Sequence, residues 1–140
     1  MEGTEKIAEF AVWFVVFLFT LTIHEAGHAL VAWLGGDDRA YRGGQVSLNP
    51  LPHIRREPFG TIVIPLLTFF SSGWMMGWAS TPYDPLWAER HPRRLAAMSA
   101  AGPASNLLVA ALVFAVLKGL LHAGTFVAPA VIELAAASDL

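Results

Sequence analysis

The chain has 140 residues, of which 55% are hydrophobic and 14% are charged, and its formal net charge is −2. A composition this apolar, with a mean hydropathy of +0.52, is unusual for a soluble domain and favours a membrane protein. The chain has no cysteine, which excludes disulfides and cysteine-based zinc sites, and it has no long basic run that would suggest binding to nucleic acid.

Three apolar segments predict about three transmembrane helices. The first extends from Ile7 to Leu34 and should end at the Gly35-Gly36 pair. Its acidic start does not fit a cleaved signal peptide, so we expect the segment to be retained. The second extends from Phe59 to Ala79, with a kink at Pro65, and the third from Leu95 to Leu121. We therefore expect an all-α membrane protein that crosses the bilayer several times.

The segments outside these helices predict two smaller features. In the first loop, Gly43 and Gly44 precede an alternating pattern that Asn49-Pro50 closes, which predicts a short strand or hairpin at the membrane surface. The edge of such a strand could receive an extended substrate by β-augmentation. The second loop, residues 80–94, is rich in proline and is expected to be irregular. After Gly124 the chain is apolar on one side, which predicts a partial or interfacial helix.

The candidate chemistry lies in the first apolar segment, where "HEAGH" occupies residues 24–28. His24 and His28 are four residues apart, so on a helix they share a face and can bind one metal ion. Glu25 lies next to that face, where zinc hydrolases use a glutamate as the general base toward a water whose pKa the zinc lowers to about 7. Ionisable groups inside a membrane segment cost about 2.5 to 3.5 kcal/mol each, which favours a functional role over a chance placement.

Several stretches, in chain order, resemble the site-2 protease family of intramembrane zinc metalloproteases, and more closely its compact bacterial branch without a PDZ domain. These stretches are "HEAGH", "GGQVSLNPLPHI", "FGTIVIPLL", "GWASTPYDPLWAERHPRR" and "AGPASN". The resemblance covers approximately Thr20 to Leu112. It implies a multi-pass protein of the bacterial inner membrane that performs regulated intramembrane proteolysis on a membrane protein or peptide within the lipid bilayer.

Carried over residue by residue, the resemblance implies Zn²⁺ as the cofactor, His24 and His28 as its ligands and Glu25 as the catalytic base. The third ligand of the family is an aspartate in an "LDG" motif, which this sequence lacks. We therefore expect residues 1–140 to form a single membrane-embedded domain that is incomplete at its C-terminus. Asp84 and His53 are the weak candidates for a third ligand within the chain.

Both weak candidates have simpler interpretations. Asp84, in "TPYDP", is typical of a turn-capping residue, and a lone loop histidine such as His53 usually has a surface or hydrogen-bonding role. Arg55 stands where many family members have an acidic residue, which argues against a metal role for that loop. Asn106 could orient the backbone or a substrate, or could hold two helices together beside Gly102.

Three other functions remain open from the sequence. One is a catalytically inactive membrane scaffold of the same fold, and another is a membrane metal-binding or transport protein that uses His24, His28 and His53. A haem protein could use His24 or His28 with His122 as axial ligands, but it would leave Glu25 without a role. A surface-packed HEAGH cluster without metal is the structural alternative.

Overall fold

Helices form all the regular secondary structure within residues 2–124, which are the residues that the computed structural model describes. The α-helices are α1 (Glu2–Leu34), α2 (Arg39–Arg42), α3 (Pro50–Arg56), α4 (Ile64–Ser72), α5 (Pro85–Arg90) and α6 (Pro92–His122), and a π-helix (Phe59–Val63) leads into α4. The chain divides into two units, Met1–Asn106 and Leu107–Leu140. The residues of the candidate site all belong to the first unit.

Helix α1 buries one narrow stripe of residues near its C-terminal end. Thr22, Glu25, Ala29 and Ala32 are buried, at intervals of three or four residues that place them on one helix face. Thr22 donates its hydroxyl to the Leu18 carbonyl at 2.7 Å, so its polar group is satisfied within the helix itself. The buried stripe therefore carries Glu25 into the interior of the unit while much of the rest of α1 is exposed.

The end of α1 is fixed against the start of α6. The helix stops at Leu34, and Gly36 has φ +94°, which confirms the predicted glycine termination. The Gly35 carbonyl then accepts hydrogen bonds from Trp87 Nε1 and from an Arg94 guanidinium nitrogen, both at 2.9 Å. Trp87 also packs with Ala32, Ala88 and Met98 in a small buried cluster. These contacts hold the part of α6 that contains Met98 beside α1.

Two helices are long and apolar enough to cross a membrane by length and composition, Gly3–Leu34 and Pro92–His122. Both match predicted spans. The helical part of the predicted middle span is shorter, because α4 ends at Ser72 and Gly73 adopts φ +74° as its C-cap. Residues 74–84 are not helical, so the helix does not reach Ala79 as predicted. The predicted count of three spans stays a prediction, and the predicted C-terminal helix lies outside the described residues.

The predicted strand in the first loop does not form, since residues 2–124 contain no strand. Local hydrogen bonds occupy the backbone instead. The backbone amide of Gln45 donates to the Ala40 carbonyl at 2.9 Å, and the backbone amide of Asn49 donates to the Ser47 hydroxyl at 3.0 Å. Asn49 in turn caps α3 by accepting from the Leu51 amide at 3.0 Å. Gly43 follows the end of α2, and Asn49-Pro50 begins α3, so the predicted turn residues separate two short helices and not two strands.

Candidate metal centre

The two histidines of HEAGH lie one turn apart on α1 and face α6. Their ring centroids are 4.7 Å apart, with the rings nearly perpendicular at 79°. Potential ligand atoms of His24, Glu25 and His28 all lie within 4.8 Å of one another, and this is the one such group of three His or acidic side chains within residues 2–124. The helical spacing therefore produces the cluster that the motif predicts.

Gly102 of α6 leaves the space in which the two imidazoles converge. A methyl group at position 102 would overlap the Nε2 atoms of both histidines, and it would lie 2.6 Å from that of His24. Gly102 is itself buried. Both Nε2 atoms thus point to the same small volume beside a residue without a side chain. This arrangement fits a metal ion, because the ligand nitrogens already approach a common point.

His28 has a hydrogen bond that prepares it as a metal ligand. Its Nδ1 lies 2.7 Å from the Met98 carbonyl oxygen, which can only accept, so Nδ1 carries the proton. The lone pair then resides on Nε2, the atom that faces Gly102.

Glu25 is 5% exposed and is held by a residue far away in the sequence. The Thr81 hydroxyl donates to Glu25 Oε2 at 2.7 Å, and it also lies 3.1 Å from the Glu25 backbone carbonyl. This contact uses one carboxylate oxygen and leaves the other to accept from water or substrate. Thr81 belongs to the non-helical segment 74–84, so that segment passes directly beside the candidate base.

Two cavities reach the cluster. One, of about 410 Å³, is lined by all three HEAGH side chains together with Thr81, Tyr83 and Ser99 among others. The second, of about 370 Å³, is bordered by His24, Glu25 and Asn106 and by residues 77–79. Both cavities therefore leave open space beside the carboxylate and the imidazoles, next to the segment 74–84.

The two weak candidates for a third ligand have other partners. Asp84 caps α5 through a bond from the Leu86 amide at 3.0 Å and pairs with Arg39 at 3.3 Å. His53 is buried beneath the first loop, with Nε2 3.2 Å from the Ser47 carbonyl. Neither belongs to the metal-capable group within residues 2–124. Asp84 therefore has the capping role that its turn sequence predicts.

Comparison with known proteins adds an independent observation to this geometry. The chain is similar to two bacterial proteins named as zinc metalloproteases. It is 36% identical over 110 residues to the "Putative zinc metalloprotease YwhC" of Bacillus subtilis, an alignment that covers 78% of this chain and 46% of that protein. It is 32% identical over 99 residues to the "Putative zinc metalloprotease Rip2" of Mycolicibacterium smegmatis, covering 69% of this chain and 36% of that protein.

The matched part of this chain thus spans less than half the length of either relative. No family model matches the chain. No solved structure matches it either. The two similarities support a metalloprotease role and imply zinc, in agreement with the converging histidines of α1.

The roles of three groups at the site are not predicted by the sequence. The Met98 carbonyl and the Thr81 hydroxyl carry no local signal, because each meets α1 from more than 50 residues away. Gly102 has a weak signal, since it lies in "AGPASN", where small residues suggest a close helix contact. The motif predicts the three side chains that lie together, but not the groups that contact them.

Proposed function

We propose that this chain is a membrane-embedded zinc metalloendopeptidase that hydrolyses peptide bonds in or near the bilayer. The observation that carries this proposal is the convergence of His24 and His28 beside Gly102, with Glu25 adjacent and restrained by Thr81. The similarity to proteins named as zinc metalloproteases supports it. The family resemblance of the ordered motifs supports an activity within the membrane.

Metal binding, proton transfer and orientation of the base would each be carried out by different side chains. His24 and His28 would hold Zn²⁺ through Nε2, and a bound zinc supplies Lewis-acid chemistry, polarising a carbonyl and lowering the pKa of water. Glu25 would accept a proton from the attacking water and later pass it to the leaving amine. Thr81 fixes the carboxylate by donating to Oε2, so that the other oxygen can receive that proton. His28 is kept in its ligand tautomer by the Met98 carbonyl.

The surroundings of the site fit a substrate within the bilayer. Large apolar side chains of α1, including Trp13 and Phe19, are more than half exposed, as expected for surfaces that contact lipid. A helical substrate must unwind locally before cleavage, because its carbonyls are occupied by helical hydrogen bonds. The cavities beside the segment 74–84 would then admit an extended peptide rather than an intact helix.

Glu25→Gln is the direct test of this proposal. The substitution keeps the size and the hydrogen bond with Thr81 but removes the base, so the cleavage rate should fall by about 10² to 10⁴. The Zn²⁺ content should stay unchanged, because the base is not a ligand. The measurement uses the zinc-loaded chain in detergent with a panel of single-span peptides that carry a quenched fluorophore, and zinc is quantified by atomic emission.

His28→Gln serves as the matched variant, since it should lose zinc and activity together. Extraction of zinc with a chelator should abolish cleavage by the wild-type chain, and added Zn²⁺ should restore it. If Glu25→Gln loses zinc as fully as His28→Gln does, Glu25 is a ligand and not the base. If the zinc-loaded wild-type chain cleaves none of the peptides, the proposed activity of this chain is wrong.

A further inference from the structure

The imidazole of His24 has a different outer partner from that of His28. Its Nδ1 lies 3.3 Å from Asn106 Nδ2. The other end of that amide, Oδ1, is buried and has no hydrogen-bond partner among the described groups. A buried carbonyl oxygen without a donor costs free energy. The Asn106 amide is therefore in an orientation that satisfies one of its ends and leaves the other unsatisfied.

This orientation conflicts with metal binding at His24. An amide nitrogen only donates, so Nδ1 of His24 must accept here and Nε2 must carry the ring proton. Yet Nε2 of His24 is the atom that converges with Nε2 of His28 beside Gly102. A protonated Nε2 in a neutral ring has no lone pair for a metal. A ligand at this position requires the other tautomer, with the proton on Nδ1 and an acceptor facing it.

We propose that Asn106 is the positioning residue of His24 and that, before as well as after a metal binds, its Oδ1 accepts from Nδ1–H. A half-turn of the amide about the Cβ–Cγ bond exchanges Oδ1 and Nδ2, which are almost the same size. The exchange moves Oδ1 from a place with no donor to one that faces Nδ1–H. It also fixes the tautomer that leaves Nε2 free. This inference rests on the metal half of the proposed function, but not on peptide cleavage.

The two histidines would then be oriented by different kinds of acceptor. His28 uses the Met98 backbone carbonyl, which no side-chain substitution removes, whereas His24 uses a side chain that can be replaced. Outer partners of metal-bound histidines fix the ring orientation and raise the basicity of the ligand nitrogen. Substitution of Asn106 should therefore affect His24 selectively, and His28 provides an internal reference in the same molecule.

The test compares Asn106→Leu, which removes the acceptor at similar size, with Asn106→Asp, which keeps an acceptor. Nitrogen-15 NMR of the metal-free chain in micelles, at a pH where the rings are neutral, reports which nitrogen carries each proton. We expect Nδ1–H on both histidines in the wild type and in Asn106→Asp. In Asn106→Leu, His24 should lose its preference for Nδ1–H, while His28 keeps the wild-type signal.

Metal affinity provides the second readout. Zn²⁺ titration in competition with a chromophoric chelator should show a loss of about 10- to 100-fold in Asn106→Leu and a much smaller change in Asn106→Asp. Ser105→Ala is the matched control, because the neighbouring Ser105 hydroxyl donates to the Ala101 carbonyl of its own helix at 2.8 Å. It should leave both the tautomers and the affinity unchanged.

The outcomes separate this inference from the proposed function. Nε2–H on His24 in the wild type, or equal zinc affinity in the wild type and Asn106→Leu, would overturn the positioning role. A wild-type chain that binds no Zn²⁺, but whose His24 tautomer depends on Asn106, would leave the contact established and reject the metal site. If Asn106→Leu disturbs the fold, the His28 signal will shift as well; the absence of Nδ1–H on His24 in Asn106→Asp would then overturn the positioning role.

Discussion

At the scale of single residues, the Thr81 hydroxyl is the group whose removal tests how the candidate base is held. Thr81→Val keeps the shape of the side chain but removes the donor to Glu25 Oε2. A hydrogen bond to a charged group contributes about 1.5 to 3 kcal/mol. If that bond orients the carboxylate for proton transfer, the cleavage rate should fall by about 10- to 100-fold. Steady-state cleavage of the fluorogenic peptides measures this effect.

Thr81→Ser is the matched control, since it retains the hydroxyl and should keep most of the activity. The zinc content of both variants should equal that of the wild type, because within residues 2–124 the Thr81 hydroxyl bonds to Glu25 and not to either histidine. An unchanged rate in Thr81→Val would show that Glu25 is held by the rest of α1 alone.

The sequence predicts the reactive residues of this site but not their partners, and the reason is the range of the contacts. His24 and His28 converge through helical spacing, which is a local property that four residues of sequence define. Thr81 reaches Glu25, and Asn106 reaches His24, only after the chain has folded back over 56 and 82 residues. No periodicity in a single sequence encodes such distant pairings, so their roles emerge only from the packing.

At the scale of elements, the crossing of α1 and α6 depends on a residue with no side chain on each helix. A Cβ at Gly27 would overlap the Ser105 hydroxyl, and one at Gly102 would overlap both imidazoles. Gly102→Ala should therefore displace the rings or separate the helices. We expect Zn²⁺ affinity to fall by at least about 10-fold, the lower end of the loss that removal of an outer partner causes, because here the ligand rings themselves are displaced. Competitive zinc titration measures it.

Gly119→Ala provides a matched substitution on the same helix, because a Cβ there has no heavy atom within 4 Å. Its zinc affinity should equal that of the wild type. Circular dichroism of both variants should show equal helix content, which would separate a local change at the crossing from unfolding of α6. Full zinc affinity in Gly102→Ala would mean that the histidines do not bind metal at the converging Nε2 positions.

The helices differ in how well their sequences define them. The two long helices α1 and α6 follow from long apolar runs, and the Gly35-Gly36 pair marks the end of α1 as predicted. The segment 59–79 has no charged residue, yet its helix ends at Ser72, and the residues that follow bond to other groups. The Trp78 amide donates to the Gly60 carbonyl at 3.1 Å, and the Met76 amide donates to Thr68 Oγ1 at 3.1 Å. Hydropathy does not predict these non-helical hydrogen bonds.

At the scale of the whole molecule, contacts between the two polar loops constrain the topology. The Ser80 carbonyl accepts from Gln45 Nε2 at 3.3 Å and from Arg56 Nε at 3.1 Å, and Asp84 pairs with Arg39 at 3.3 Å. Both loops therefore lie at the same end of the first unit. If α1 and α6 cross the bilayer, these contacts place the two loops on the same side of it.

The length of the helical segment between the two loops, residues 59–72, supports the same conclusion. Its five π-helical and nine α-helical residues extend about 21 Å at a rise of about 1.5 Å per residue, short of the hydrocarbon thickness of about 30 Å. The segment 59–72 would then enter the bilayer without crossing it. The three spans predicted from hydropathy would instead put the first loop and the second loop on opposite sides.

Labelling of single cysteines distinguishes these topologies, because the chain has no cysteine of its own. Arg42→Cys in the first loop and Glu89→Cys in α5 replace exposed residues. With two crossings, a membrane-impermeant maleimide should label both from the same side, either in intact cells or in inverted vesicles. Val15→Cys and Leu112→Cys, on the apolar surfaces of the two long helices, should resist labelling until the membrane is dissolved in SDS. Labelling of positions 42 and 89 from opposite sides would restore the third span, and it would also require that the bonds from Gln45 and Arg56 to Ser80 do not exist in the membrane.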